Sequence, residues 1–128
     1  MTDIIKSISF DQHEILNNII TLHTGPIECD VTYGSGCFYK TIPQPLIKYD
    51  IAPRKPGVEQ ADVTSLPLPS RCIRVIAFDP PFMARTGPGA TLKERFGELV
   101  GTYKELMEFY FEAMTEIHRV LAPGGWLI

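Results

Sequence analysis

The stretch Arg74-Val75-Ile76-Ala77-Phe78-Asp79-Pro80-Pro81-Phe82 decides how the chain folds. Its first five residues are rich in β-branched and aromatic side chains, the composition of a buried strand. The strand runs straight into an acid and a Pro-Pro pair. Two prolines fix φ and remove two backbone donors, so the turn holds a carboxylate and a free carbonyl rigidly at the strand end. Both groups accept hydrogen bonds, and an ionised carboxylate donates none. Such a pair suits the gripping of an NH2 group, and Phe82 adds a flat apolar face on which a ring can stack.

Upstream, the pattern of a strand followed by an acid recurs. Ile27 to Val31 predicts a first strand that enters the glycine turn Asp30-Val31-Thr32-Tyr33-Gly34-Ser35-Gly36. Glycines there admit a ligand to the backbone without interference from a Cβ, although a lone G-x-G also describes an ordinary tight turn. Leu46 to Ile51 predicts a second strand carrying Asp50. That acid lies about twenty residues beyond the start of the turn, where a carboxylate can accept hydrogen bonds from ribose hydroxyls. Ala61-Asp62-Val63-Thr64 predicts a brief third strand, whose Asp62 either receives the amino group of an adenine ring or simply forms a turn. Strands alternating with helices or crossover connections argue for an α/β fold with a mostly parallel sheet. Ligands bind such sheets at the carboxyl ends of the strands, so Asp30, Asp50 and Asp79 are expected along one edge.

A helix is predicted from Gln12 to Leu22, with Asp11 as N-cap, Glu14 completing a capping box, and Phe10 stapled to Ile15. Gly25 would end it in a left-handed conformation before Pro26. Cys37-Phe38-Tyr39-Lys40 reads as a short helix stopped before Pro43. Met83 to Gly97 reads as a loop able to close over a substrate. A long helix follows from about Leu99 to Leu121, with Tyr103, Leu106, Met107, Tyr110, Phe111, Met114, Ile117, His118 and Leu121 as its core stripe. Ala122-Pro123-Gly124-Gly125 is a turn, and Trp126-Leu127-Ile128 begins a further strand. His23 and His118 read as structural. The chain reads as one domain: an N-terminal helix in 1–25, a ligand-binding part in 26–70, and the acid-Pro-Pro turn with its helix in 71–128.

With 128 residues, 45% apolar and 21% charged, the chain can bury a single core and is not disordered in general. No apolar run approaches the ~18 residues of a membrane span. The N-terminus lacks the basic-then-apolar pattern of a secretory signal. Cys29, Cys37 and Cys72 are odd in number and lack C-x-x-C spacing, so they read as small core residues in a reducing cytoplasm. A net charge of −3 disfavours nucleic-acid binding by bulk electrostatics but permits a local basic patch. Arg54, Lys55, Arg85, Lys93 and Arg95 are candidates for phosphate contacts, each more simply read as a solvated charge.

From Asp11 to Ile128 the sequence resembles class I S-adenosylmethionine-dependent methyltransferases, and among them the amino-group DNA methyltransferases. The glycine turn is similar to their cofactor motif Asp-Pro-Phe-x-Gly-x-Gly, with Val31 and Thr32 departing from its second and third residues. Asp50 and Asp62 match the ribose and adenine positions by order and spacing. Asp79-Pro80-Pro81-Phe82 matches their Asp/Asn/Ser-Pro-Pro-aromatic motif, and His118 to Ile128 is similar to the helix, turn and fifth strand common to the class. The resemblance implies a Rossmann-like sheet and S-adenosyl-L-methionine as cofactor, bound by Asp30, Thr32, Tyr33, Gly34, Gly36, Asp50 and Asp62. It implies catalysis by Asp79, Pro80, Pro81 and Phe82, with nucleic-acid contacts from Arg85, Lys93 and Arg95. Phe10 or His13 would line the cofactor pocket or else belong to the core. The implied reaction is methyl transfer to an exocyclic amino group of a nucleobase. Asp in place of Ser at the first motif position favours adenine N6 in DNA.

Two other readings stand beside it. The same Pro-Pro-aromatic device serves amino groups in RNA and on protein glutamine, and a chain that binds the cofactor without turnover would act through a partner. The family's sheet carries two further strands, 6 and 7, inserted as a hairpin at the edge, and the resemblance lacks them. An open edge at the fifth strand predicts self-association or poor solubility.

Overall fold

A computed structural model describes residues 4–5, 8–80 and 103–128. It is an α/β fold built on a five-stranded sheet. The strands are β1 (Cys29–Asp30), β2 (Ile47–Asp50), β3 (Glu59–Gln60), β4 (Ile73–Ala77) and β5 (Leu121–Leu127). Their order is β3-β2-β1-β4-β5, and every pairing is parallel. The crossover from β3 to β4 carries the chain back across β2 and β1, so the direction of winding reverses between β1 and β4.

Helix α1 (Gln12–Ile19) widens into a π-type turn at Ile20–Thr24. Asp11 caps it by accepting from the amides of His13 at 2.8 Å and Glu14 at 3.3 Å. The reciprocal arm of the capping box is relayed: Glu14 accepts from the Ser9 hydroxyl, and Ser9 Oγ accepts from the Asp11 amide. The expected staple does not form, because Phe10 is fully exposed. Gly25 ends the helix with φ +70° and ψ −173°, outside the left-handed helical region, because its N–H closes the wide turn onto the Ile20 carbonyl at 3.0 Å.

The pleat of β4 divides the core. Val75 and Ala77 pack with Leu16 of α1 and with Tyr39 and Ile42 around the 3-10 turn Cys37–Lys40. Ile76 faces the other way, into a cluster with Leu106, Phe109, Ala113, Ile117 and Val120 of helix α2 (Tyr103–Val120). The alternation of side chains along a strand produces this division. Those five α2 residues recur at threes and fours and form its buried face. The predicted stripe is only partly right, since Tyr103, Met107, Phe111, Met114 and His118 are exposed. Cys29 is buried, whereas Cys37 and Cys72 are exposed and do not belong to the core. No described helix is long and apolar enough to cross a membrane.

The third strand also differs from expectation. Pairing with β2 falls on Glu59 and Gln60, and Ala61 to Thr64 instead enters a turn closed by a bridge between Asp62 and Ser65. In β5 the predicted turn is present but lies inside the strand. Ile73 pairs with Leu121 and Val75 with Trp126, so Ala122 to Gly125 bulge out of the ladder. Gly124 supplies φ +76° there, and a Cβ on Gly125 would lie 2.8 Å from the Ala122 carbonyl and 2.9 Å from that of Arg74.

Candidate functional site

β1 ends at Asp30 and β2 at Asp50, Asp79 lies two residues past the end of β4, and a cleft opens at those strand ends. The glycine turn forms one wall. It leaves β1 when the Tyr33 amide turns towards β2 and donates to the Tyr49 carbonyl at 3.0 Å. The Gly34 amide then donates to Asp50 Oδ2 at 2.7 Å, which ties the turn to the end of β2. Gly34 has φ +59°, and nothing but the Thr32 carbonyl, at 3.9 Å, would meet a Cβ there. A ligand can therefore approach this backbone closely.

Gly36 is needed for a different reason. Its φ is +75°, and a Cβ would lie 2.5 Å from the Tyr33 hydroxyl oxygen. Tyr33 cannot easily yield: its ring stacks on Tyr39 with centroids 5.4 Å apart, and its hydroxyl donates to Gln44 Oε1 at 2.6 Å. Lys48 Nζ lies 5.4 Å from the centre of the same ring.

The acids divide into two kinds. Asp30 is buried and does not line the cleft. Its Oδ1 accepts from the Thr32 amide at 2.8 Å and its Oδ2 from the Tyr39 hydroxyl at 2.5 Å, so it organises the turn from beneath. Burial pushes its carboxyl up to about 6, the two hydrogen bonds oppose that, and the charges of Asp79 and Asp50 add to it. The Tyr39 hydroxyl is raised by burial and by Asp30. Cys29 is pushed up to about 12, mainly by burial, which makes it an inert thiol at neutral pH.

Asp50, Asp62 and Asp79 line the cleft itself. Asp50 Oδ1 also accepts from the Ala52 amide at 2.9 Å. Asp62 Oδ1 takes the amide and hydroxyl of Thr64, at 2.9 and 2.8 Å, as in an Asx turn. The Asp79 amide donates to Thr32 Oγ1 at 2.7 Å. Arg54 is the one cation lining the cleft among the described residues. Three carboxylates against one guanidinium favour a cationic or amine-bearing ligand.

Of the predicted site residues, Thr32, Tyr33, Gly34, Asp50, Asp62 and Asp79 share the cleft wall. Asp30 and Gly36 support it from behind, and Pro80 follows Asp79 without lining the cleft. Pro81, Phe82, Arg85, Lys93 and Arg95, together with the predicted loop from Met83 to Gly97, lie outside the described residues. Phe10 and His13 do not line the cleft. Two features were missed from the sequence. Phe109 of α2 closes the apolar side of the cleft. Glu116 and Arg119 clamp the connection from β3 to β4 onto α2: Glu116 Oε1 accepts from the Leu66 amide at 2.8 Å, and Arg119 donates to the Leu68 carbonyl at 2.9 Å. The hydrogen bond from Arg119 holds the Glu116 carboxyl below its ordinary value. Polar residues three apart on a helix signal only an ion pair, and nothing local points to residue 66. No protein family's profile matches the chain, and no curated protein matches it.

Proposed function

We propose that this protein transfers a methyl group from S-adenosyl-L-methionine to an exocyclic amino group of a nucleobase, with adenine N6 in DNA as the leading substrate. One observation carries the reading. Gly34, Asp50, Asp62 and Asp79, taken from four separate segments of sequence, line one cleft at the carboxyl ends of the strands. The strand order β3-β2-β1-β4-β5, with its reversal between β1 and β4, supports it further, since ligands occupy the crevice at such a reversal.

The residues suit the cofactor. Gly34 leaves space against the backbone for a ligand. Asp50 would accept the ribose hydroxyls and Asp62 the adenine amino group, and the acidic wall favours a sulfonium cation. When bound, the cofactor would supply an electrophilic methyl carbon, its sulfur keeping the electron pair of the broken S–C bond and leaving as a neutral thioether.

The chain's own work lies on the acceptor side. An aromatic amine is a poor nucleophile because its lone pair is delocalised into the ring. Asp79, on the cleft wall, would accept a hydrogen bond from one N–H of the amine. The carbonyl of Pro80, next to it in the chain but outside the cleft lining, would take the other, drawing the nitrogen towards a pyramidal form that frees the lone pair. As the nitrogen gains its new bond it must lose a proton, and Asp79 takes it. A base inside a duplex cannot reach a cleft of this kind, so it must be flipped out. Positioning of this sort supplies most of the rate.

Calorimetric titration with S-adenosyl-L-methionine, followed by tritium transfer to duplex DNA, RNA and peptides, tests the reading. Binding with transfer to adenine is expected. Transfer to RNA or to glutamine would move the substrate class, and absence of cofactor binding would end the proposal. Asp79→Ala should lower transfer by about a hundredfold or more while leaving cofactor affinity unchanged. Loss of both together would contradict the role given to Asp79.

A further inference from the structure

Thr32 occupies a position where the motif it resembles carries phenylalanine, and its hydroxyl reaches the acceptor side of the cleft. The geometry follows from strand register. Asp30 of β1 pairs with Ala77 of β4, so Thr32 and Asp79 stand opposite each other two residues later. The last backbone bond between these chains runs from the Val31 amide to the Ala77 carbonyl at 3.2 Å. At Tyr33 the chain turns away towards β2. Thr32 therefore sits where the two chains part, and its Oγ1 accepts from the Asp79 amide at 2.7 Å. A side chain here continues the ladder one step past the point where the backbone leaves it.

Thr32 is itself held. Its amide donates to Asp30 Oδ1 at 2.8 Å, and Asp30 Oδ2 accepts from Tyr39 at 2.5 Å. Tyr39 in turn is buried and stacked against Tyr33. A continuous chain of hydrogen bonds thus runs from the buried Tyr39 hydroxyl to the amide of Asp79.

From this chain we infer that Thr32 is a positioning residue, fixing Asp79 against the glycine turn so that the acceptor amine and the methyl donor are held in register. The inference rests on the amino-methyltransferase reading and deepens it, since the resemblance assigns this position to cofactor contact. A phenylalanine has no acceptor for the Asp79 amide, so the link belongs to this chain's own sequence.

Thr32→Val keeps the shape and removes the acceptor, and Thr32→Ser restores it. At saturating cofactor and DNA, Thr32→Val should lower kcat about tenfold or more, with cofactor affinity and KM for cofactor unchanged. Thr32→Ser should recover most of the loss. A parallel fall in cofactor affinity would make Thr32 a cofactor contact and overturn the inference, as would an undiminished kcat. Amide hydrogen exchange separates this outcome from failure of the underlying reading. Even in a protein that binds cofactor and transfers nothing, the Asp79 amide should exchange about tenfold faster in Thr32→Val than in the wild type or Thr32→Ser. Equal exchange in all three would remove the link altogether.

Discussion

Gly34 and Gly36 belong to one turn, yet substitution should affect them in opposite ways. Either alanine must adopt a positive φ, at about 1–2 kcal/mol. At Gly34 the new methyl has open space, but the space is the cleft. Gly34→Ala should therefore lose about that 1–2 kcal/mol and no more, and lose cofactor affinity by about tenfold. At Gly36 the methyl would meet the Tyr33 hydroxyl, so Gly36→Ala should lose the larger share of stability as the tyrosine stack is displaced. Thermal melts paired with calorimetry distinguish the two, and a Gly34→Ala variant with full affinity would contradict the placement of the cofactor. Asp30 gives a pH signature. Its carboxyl is raised from 3.8 to about 6 in the folded protein, chiefly by burial. The folded state thus takes up this proton before the unfolded chain does. The associated stabilisation is complete below about pH 4 and is lost as the pH rises through 6, and two units correspond to about 3 kcal/mol. Lowering the pH from 7 to 4.5 should raise the wild type's stability relative to that of Asp30→Asn, which has no such proton to take up. Parallel curves for the two proteins would show that Asp30 is not a buried charge.

At the level of elements, the sequence conveyed most where a signal is local. The acid at the end of β2, the N-cap at Asp11 and the turn at 122–125 each lie within a few residues of what they govern. The third strand misled because Ala61 and Val63 are buried, as strand residues would be, although the turn around Asp62 buries them. The true pairing uses Glu59 and Gln60, which are exposed and polar and leave no hydrophobic trace. In α2, apolar residues occupy two faces, and period alone cannot choose between them. The fully buried Ala113 marks the packed face, and the aromatic and Met residues on the other face outweighed it. In the site, the carboxylates were legible from motif order, but the Thr32–Asp79 bond spans 47 residues and depends on strand register. The β4–β5 register makes its own prediction. Gly125 has backbone carbonyls of Ala122 and Arg74 within 2.9 Å of any Cβ, and backbone cannot move aside as a side-chain tip can. Gly125→Ala should cost about 2–3 kcal/mol in denaturant unfolding, whereas Pro123→Ala, on the exposed outer part of the bulge, should cost less than about 0.5 kcal/mol. Equal costs would mean that the bulge does not set the register.

For the whole molecule, the described sheet has unequal edges. β3 is a two-residue strand whose exposed residues are Glu59 and Gln60, a poor template for another chain. β5 is longer, and β4 is its one neighbour among the described residues. Pro123 and the bulge blunt its first half, leaving Trp126 to Ile128 as the segment able to accept a strand. Apolar surface gathers beside that segment: Trp126 is 47% exposed, and Leu22 is 57% exposed next to His23, whose ring lies 6.1 Å from that of Trp126. So short an edge offers few backbone bonds, so burial of Trp126 and Leu22 must supply most of the association energy. For the 128-residue chain tested by itself, an uncovered β5 edge predicts a reversible dimer joined along that strand, seen in light scattering as a mass approaching twice 14.4 kDa as concentration rises. Trp126→Lys places a charge on that edge and should return the protein to a monomer with unchanged circular dichroism. Wild-type protein that stays monomeric at its highest soluble concentration would rule the contact out, and a Trp126→Lys dimer would move it to the exposed Tyr103, Met107, Phe111 and Met114 face of α2.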